Sequence, residues 1–133
     1  FMGAGWVTMM ARDPDKAVAL IQAAGQQGTV LPWGGPLPES PDAALLFNAT
    51  SLGMAGQPPL NIDLSVLPGD AVVFDAVYVP LETGLLQAAR ARGLATIDGL
   101  AMLIGQAALA FEIFFGEAPP REHDAELRAL LTR

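Results

Sequence analysis

The 133 residues (13.9 kDa) suffice for one domain with one hydrophobic core, and 52% hydrophobic against 16% charged residues excludes a disordered chain. Seven Lys+Arg against 14 Asp+Glu give a net charge of -7, which excludes a phosphate-backbone binder and so nucleic acid as a partner. The absence of Cys excludes disulfide frameworks and thiolate metal sites and points to an intracellular, cytoplasmic address. One histidine, His123, is too few for a multi-His metal site or a His-based triad.

The most apolar stretch, residues 100–115, is interrupted by Gly105, Gln106 and Glu112 and is shorter than the about 20 apolar residues of a membrane span. No basic region followed by an apolar run marks a signal peptide at the N-terminus. The sequence opens on Phe1, so a start inside a longer protein is an open reading.

In chain order, residues 6–10 (Trp-Val-Thr-Met-Met) predict a buried strand. Asp13-Pro14 then predicts a helix start, with Asp as N-cap and Pro where a missing N–H is harmless. Ala17, Leu20, Ile21 and Ala24 recur at helical spacing, and Gly25 is a stop signal. A short strand is expected within residues 26–31, and the proline-rich residues 32–41 form a loop. Residues 43–47 and 71–74 predict two more buried strands, with one helical turn near residues 64–67 between them. A helix over residues 83–91, a short strand over 94–97, a long helix over 98–115 and a final amphipathic helix over 122–131 complete the chain. Apolar strands alternating with helices define one α/β domain, a mostly parallel sheet with helices on both faces.

Ligands of such sheets bind at the carboxyl ends of the strands. Arg12 follows the first strand, where an Arg accommodates the 2′-phosphate of NADP and an acid selects NAD; Asp13 beside it reads either as that acid or as a helix cap. A surface Arg and an ordinary cap explain the same two residues. Lys16, the chain's only lysine, adds a second cation or is simply solvated. Asn48-Ala49-Thr50-Ser51 can cradle ribose and phosphate oxygens or satisfy its own backbone. On the long helix, Leu100, Leu103, Ile104, Ala107, Phe111 and Phe114 form the expected core face, and Gly99, Met102 and Gln106 form a stripe beside it. A glycine at a helix start allows a flat ring to approach, a methionine packs on it, and a glutamine offers an amide to a polyol. Helix punctuation and core filling are the alternative. Met2-Gly3-Ala4-Gly5 opens like a G-x-G-x-x-G phosphate loop, but Trp6 begins a strand at once, so a Rossmann-like sheet would lack its first βα unit.

Three ordered blocks carry a resemblance: Asn48-Ala49-Thr50-Ser51-Leu52-Gly53-Met54, Asp75-Ala76-Val77-Tyr78-Val79-Pro80-Leu81-Glu82-Thr83, and Asp98-Gly99-Leu100-Ala101-Met102-Leu103-Ile104-Gly105-Gln106-Ala107. Together they resemble the C-terminal, NADP-binding half of shikimate dehydrogenase, from about residue 6 to residue 119. The resemblance implies that residues 1–133 are the NADP-binding domain of an enzyme that interconverts 3-dehydroshikimate and shikimate in aromatic amino-acid biosynthesis. It implies that Arg12 meets the 2′-phosphate, although Ala11-Arg12-Asp13 stands where the family has Asn-Arg-Thr. It places Asn48, Ala49, Thr50 and Ser51 on the adenosine side of the cofactor, and Ala76, Gly99 and Met102 at the nicotinamide end. Tyr78 and Gln106 would bind substrate hydroxyls, and Asp75 and Thr83 would be a turn acid and a helix cap.

The family's catalytic Lys and Asp lie in an N-terminal substrate domain not contained in these 133 residues, so no catalytic residue is expected here. The implied partner is a small molecule, shikimate or 3-dehydroshikimate, with neither nucleic acid nor membrane and with a homodimer left open. A non-catalytic nucleotide-binding remnant or interaction domain, and a relative of the dinucleotide domain of glutamyl-tRNA reductase, are the competing readings.

Overall fold

The computed structural model describes residues 5–132. Met2, Gly3 and Ala4 of the abbreviated phosphate-loop motif lie outside the described residues. The chain divides into two compact units, one up to Leu37 and one from Pro38 on.

In the first unit, β1 (Val7–Ala11) and β2 (Gly28–Pro32) pair in parallel, joined through α1 (Pro14–Ala23). The helix begins as its sequence dictates. Asp13 is extended, its carboxylate accepts from the Lys16 N–H at 3.1 Å, and Pro14 occupies the first turn. Ala17 and Ile21 are buried, whereas Leu20, expected on the core face, is exposed. Two strands offer α1 only a narrow surface, which residues one turn apart already cover.

In the second unit, β3 (Leu45–Asn48), β4 (Val72–Asp75) and β5 (Ala95–Ile97) form a parallel sheet with β4 in the centre. A 3-10 turn, Leu64–Val66, precedes β4, and α2 (Gly84–Ala91) links β4 to β5. The sequence ends in α3 (Gly99–Phe115) and α4 (Asp124–Leu131). The parallel α/β class expected from the alternating pattern is therefore the one observed. A doubly wound sheet orders its strands 3-2-1-4-5-6. Without strand 1 this leaves a pair and a parallel triplet, the two strand groups present among the described residues.

The core of the second unit gathers Leu64, Leu67, Ala71, Val73, Leu85, Leu86, Ala89 and Leu94, so α2 and the 3-10 turn cover one face of the sheet. Arg92 seals this layer by donating to the Leu64 and Leu67 carbonyls. Register puts Phe47, Phe74 and Ile97 side by side on the opposite pleat, where Phe47 stacks on Phe74 at 4.6 Å and stays 47% exposed. Of the two covered faces that the apolar runs predict, the α2 face is packed, while Phe47 and Ile97 on the other remain partly exposed.

The core face expected along α3 needs correction beyond its first turns. Leu100 and Ile104 are buried, but Leu103, Ala107 and Phe114 are exposed, Phe114 to 82%. Geometry accounts for this: 17 helical residues run about 25 Å, while a four-residue strand runs about 13 Å, so the helix overshoots the sheet it starts from. Gly116, with φ 76°, ends the helix in the left-handed conformation.

One ion pair ties α4 to the start of α3. Asp98 caps α3 by accepting from the Ala101 N–H at 2.9 Å, and Arg128 grips both of its carboxylate oxygens, Nη1 to Oδ1 at 3.0 Å. The hydrogen bond from Arg128 holds the Asp98 carboxyl below its ordinary pKa. A folded-state pKa below the unfolded one gives stabilisation that is full above the ordinary carboxylate range and lost as pH falls through the lowered value. Arg128→Met is therefore expected to lower stability by about 1 kcal/mol at neutral pH. Urea midpoints of the two proteins should converge on acidification; a gap that persists in acid would mean that Arg128 acts through packing.

Candidate functional site

The first unit contributes the cation. Arg12, directly after β1, is exposed and lines a surface depression of about 310 Å³ with Met9, Ala11, Asp13 and Lys16. Asp13 Oδ2 lies 3.0 Å from Lys16 Nζ, and hydrogen bonds from Lys16 lower the Asp13 pKa. The acid beside Arg12 thus serves as helix cap and lysine partner, while Arg12 forms no ion pair among the described residues.

In the second unit, the carboxyl ends of β3 and β4 meet the N-termini of α2 and α3. Asn48 ends β3 buried, with its side chain fully engaged: Nδ2 donates to the Leu52 carbonyl (3.2 Å) and Asp75 Oδ1 (2.9 Å). Its Oδ1 accepts from Thr50 N–H (3.0 Å) and Oγ1 (2.7 Å). An amide has two donors and two acceptor sites, so Asn48 retains none for a ligand. Thr50 Oγ1 also accepts from the Leu52 N–H (3.1 Å). Of the 48–51 turn, only Ala49 and Ser51 are exposed.

β4 ends at Asp75, which is completely buried. The following residues run along the start of α3: the Gly99 N–H donates to the Val77 carbonyl at 3.2 Å. A Cβ on Gly99 would lie 2.2 Å from the Ala76 oxygen and 2.6 Å from the Val77 oxygen. The glycine is thus required by the chain's own backbone, a reason the sequence alone did not give. Tyr78 follows, 52% exposed. Along α3, Met102 is half-buried and Gln106 exposed, about 10 Å from Gly99 at 1.5 Å per residue. Tyr78, Gly99, Met102 and Gln106 therefore share this end of the unit, whereas Arg12 belongs to the other unit.

The sequence reading missed the centrality of Asp75. Its Oδ1 accepts from Asn48 Nδ2 and from the Val77 N–H (3.0 Å), and its Oδ2 accepts from Thr83 Oγ1 (2.7 Å). Thr83, also buried, caps α2 through the Leu86 N–H at 3.3 Å. The available signal was an acid ending an apolar strand eight residues before a Thr at a helix start. Beside this network lies a cavity of about 570 Å³ lined by Leu52, Gly53, Asn61, Asp63, Thr83 and Gly84 among others.

Parallel strands whose polar residues gather at their carboxyl ends, an Arg after β1 and a glycine-started helix beside β4 define the class: a Rossmann-like α/β protein. Residues 99–126 match the Shikimate 5'-dehydrogenase C-terminal domain. Over 127 residues the chain is 60% identical to the NADP(+) shikimate dehydrogenase of Sphingopyxis alaskensis, covering 96% of this chain and 45% of that protein. Among solved structures, 5-ketofructose reductase of Gluconobacter sp. superposes with a TM-score of 0.77 at 31% identity, covering 89% of this chain and 44% of that one. Shikimate 5-dehydrogenase of Thermus thermophilus, in complex with NADP(H) and shikimate, gives 0.69 at 34% identity over 89% of this chain and 42% of that one. The likeness to shikimate dehydrogenase carried by the three sequence blocks thus extends over almost the whole chain, and its family-model match is to the C-terminal domain of those enzymes. The chain spans less than half the length of the relatives it matches. None of the described helices is long and apolar enough to cross a membrane.

Proposed function

We propose that this chain is the NADP-binding domain of a shikimate dehydrogenase of the cytoplasm, reversibly reducing 3-dehydroshikimate to shikimate. The observation that carries this reading is the meeting of Tyr78 and the Gly99 start of α3 at one sheet end, pinned by the Val77–Gly99 hydrogen bond, in a sequence 60% identical to such an enzyme. NADPH, when bound, supplies the hydride.

The chain's own residues bind and orient. The exposed guanidinium of Arg12, next to an Asp13 already occupied by Lys16, suits a dianionic 2′-phosphate and makes NADP the preferred dinucleotide. Ala49, Thr50 and Ser51 border the adenosine side, and Asn48 supports them from beneath. Backbone at Ala76, with Gly99 and Met102, borders the nicotinamide side. Tyr78 and Gln106 offer a hydroxyl and an amide to substrate hydroxyls. The proton at the carbonyl oxygen is handled by a Lys and an Asp of the substrate domain, as in the family, so the catalytic acid–base pair is not among these residues.

Two substitutions in the native gene product test these assignments. Arg12→Ala should raise KM for NADP at least about tenfold, the loss of a charge-assisted contact, and leave KM for NAD nearly unchanged. Gln106→Ala should lower kcat/KM for shikimate while NADPH binding stays within about twofold. Equal effects of Arg12→Ala on both dinucleotides, or unchanged shikimate kinetics in Gln106→Ala, would remove the corresponding residue from the site.

A further inference from the structure

We propose that Asp75 is a positioning residue, which holds the Tyr78-bearing loop against the first turn of α3 through Val77. Only the kinetic consequence rests on the dehydrogenase reading; the geometric one stands without it. Asp75 is completely buried, and its three hydrogen bonds come from three segments: Asn48 at the end of β3, Val77 in the loop after β4, and Thr83 at the cap of α2. Its two oxygens accept all three of these hydrogen bonds, so the convergent donors fix the orientation of the side chain.

Asn48 is itself locked by Thr50 and the Leu52 carbonyl, so the donor it presents to Asp75 cannot rotate away freely. Val77 is then held from both ends: its N–H by Asp75, its carbonyl by the Gly99 N–H. The Ala76 N–H, bonded to the Asn48 carbonyl at 3.0 Å, adds a third tie to the same short loop. Tyr78 follows Val77 directly and is half exposed; the Val79 carbonyl beyond it accepts from the Ala55 N–H at 2.9 Å, so the ties at Val77 fix the side of this loop that faces α3.

The requirement is for an acceptor in place, which gives the test its form. Asp75→Asn can keep Oδ1 on Asn48 and Val77 and turn its NH2 toward Thr83, whereas Asp75→Ala and the near-isosteric Asp75→Leu leave no acceptor. In the native gene product, Asp75→Ala is expected to lower kcat/KM for shikimate at least about tenfold and to speed amide exchange at Val77 and Gly99 at least about tenfold. Asp75→Leu gives the same result where the alanine variant does not fold, and Asp75→Asn restores both readouts to within about threefold. A folded Ala or Leu variant with lower Tm but unchanged kinetics and unchanged Gly99 exchange would reduce Asp75 to a structural acid. Asparagine as damaging as alanine would overturn the acceptor argument. If the unaltered protein shows no shikimate-dependent NADP reduction, the dehydrogenase reading fails, and the exchange rates alone decide the positioning role.

Discussion

Replacing Gly99 by alanine is expected to destabilise the protein by about 3 kcal/mol, the upper end of the overpacking range, because the obstacle is backbone. The new methyl would meet the Ala76 and Val77 carbonyl oxygens at 2.2 and 2.6 Å, and neither can rotate aside as a side chain can. Relief requires α3 to withdraw from the loop after β4, which breaks the Gly99–Val77 hydrogen bond and shifts Tyr78 relative to the helix. Gly105 on the same helix supplies the control. Beyond the backbone of its own helix, no atom lies within 4 Å of its would-be Cβ, so alanine there should stabilise by about 0.5–1 kcal/mol through helix propensity alone. Urea midpoints moving in opposite directions for the two variants would confirm the close approach; a Gly99→Ala protein as stable as the parent would contradict it.

Leu86→Ala is the other large effect, expected at about 3–4 kcal/mol from lost transfer energy and a residual cavity. Leu86, on α2, is completely buried in the cluster with Val73, Leu85, Ala89 and Leu94. Its own N–H is the one Thr83 caps, and Thr83 in turn is bonded to Asp75. Loosening this turn of α2 should therefore reach the polar network as well as the core. Gln87→Ala, next along the helix and exposed, should stay within about 0.5 kcal/mol. Chemical denaturation separates the two, and a Leu86→Ala change below about 1 kcal/mol would mean that the cavity collapses.

Much of the fold was legible because local rules agree with it. Asp13-Pro14, Thr83 and Asp98 each cap the helix that their position announces, and Gly116 ends α3 with the positive φ that only glycine adopts readily. What the sequence could not reveal is long-range. Periodicity marks Phe114 as apolar-faced, but whether anything covers it depends on the reach of a sheet whose strands are a few residues long. The Asp98–Arg128 pair joins residues 30 apart and carries no local pattern.

The candidate site divides in the same way. Gly99, Met102 and Gln106 were visible as a helical stripe and became informative only with the three ordered motifs, which also brought in Tyr78. At Gly99 the direction a side chain would take is filled by the chain's own carbonyls, a demand for glycine that no local pattern announces. Asn48, read as a cofactor contact, holds its own turn together, since its partner Asp75 lies 27 residues away and only the parallel register brings them side by side.

The most direct test of the account is nicotinamide reduction by the native gene product, followed by absorbance, with shikimate or quinate as reductant and NADP or NAD as acceptor. Reduction is expected to require shikimate and to be faster with NADP than with NAD. A folded protein that reduces neither dinucleotide in the presence of shikimate would contradict it.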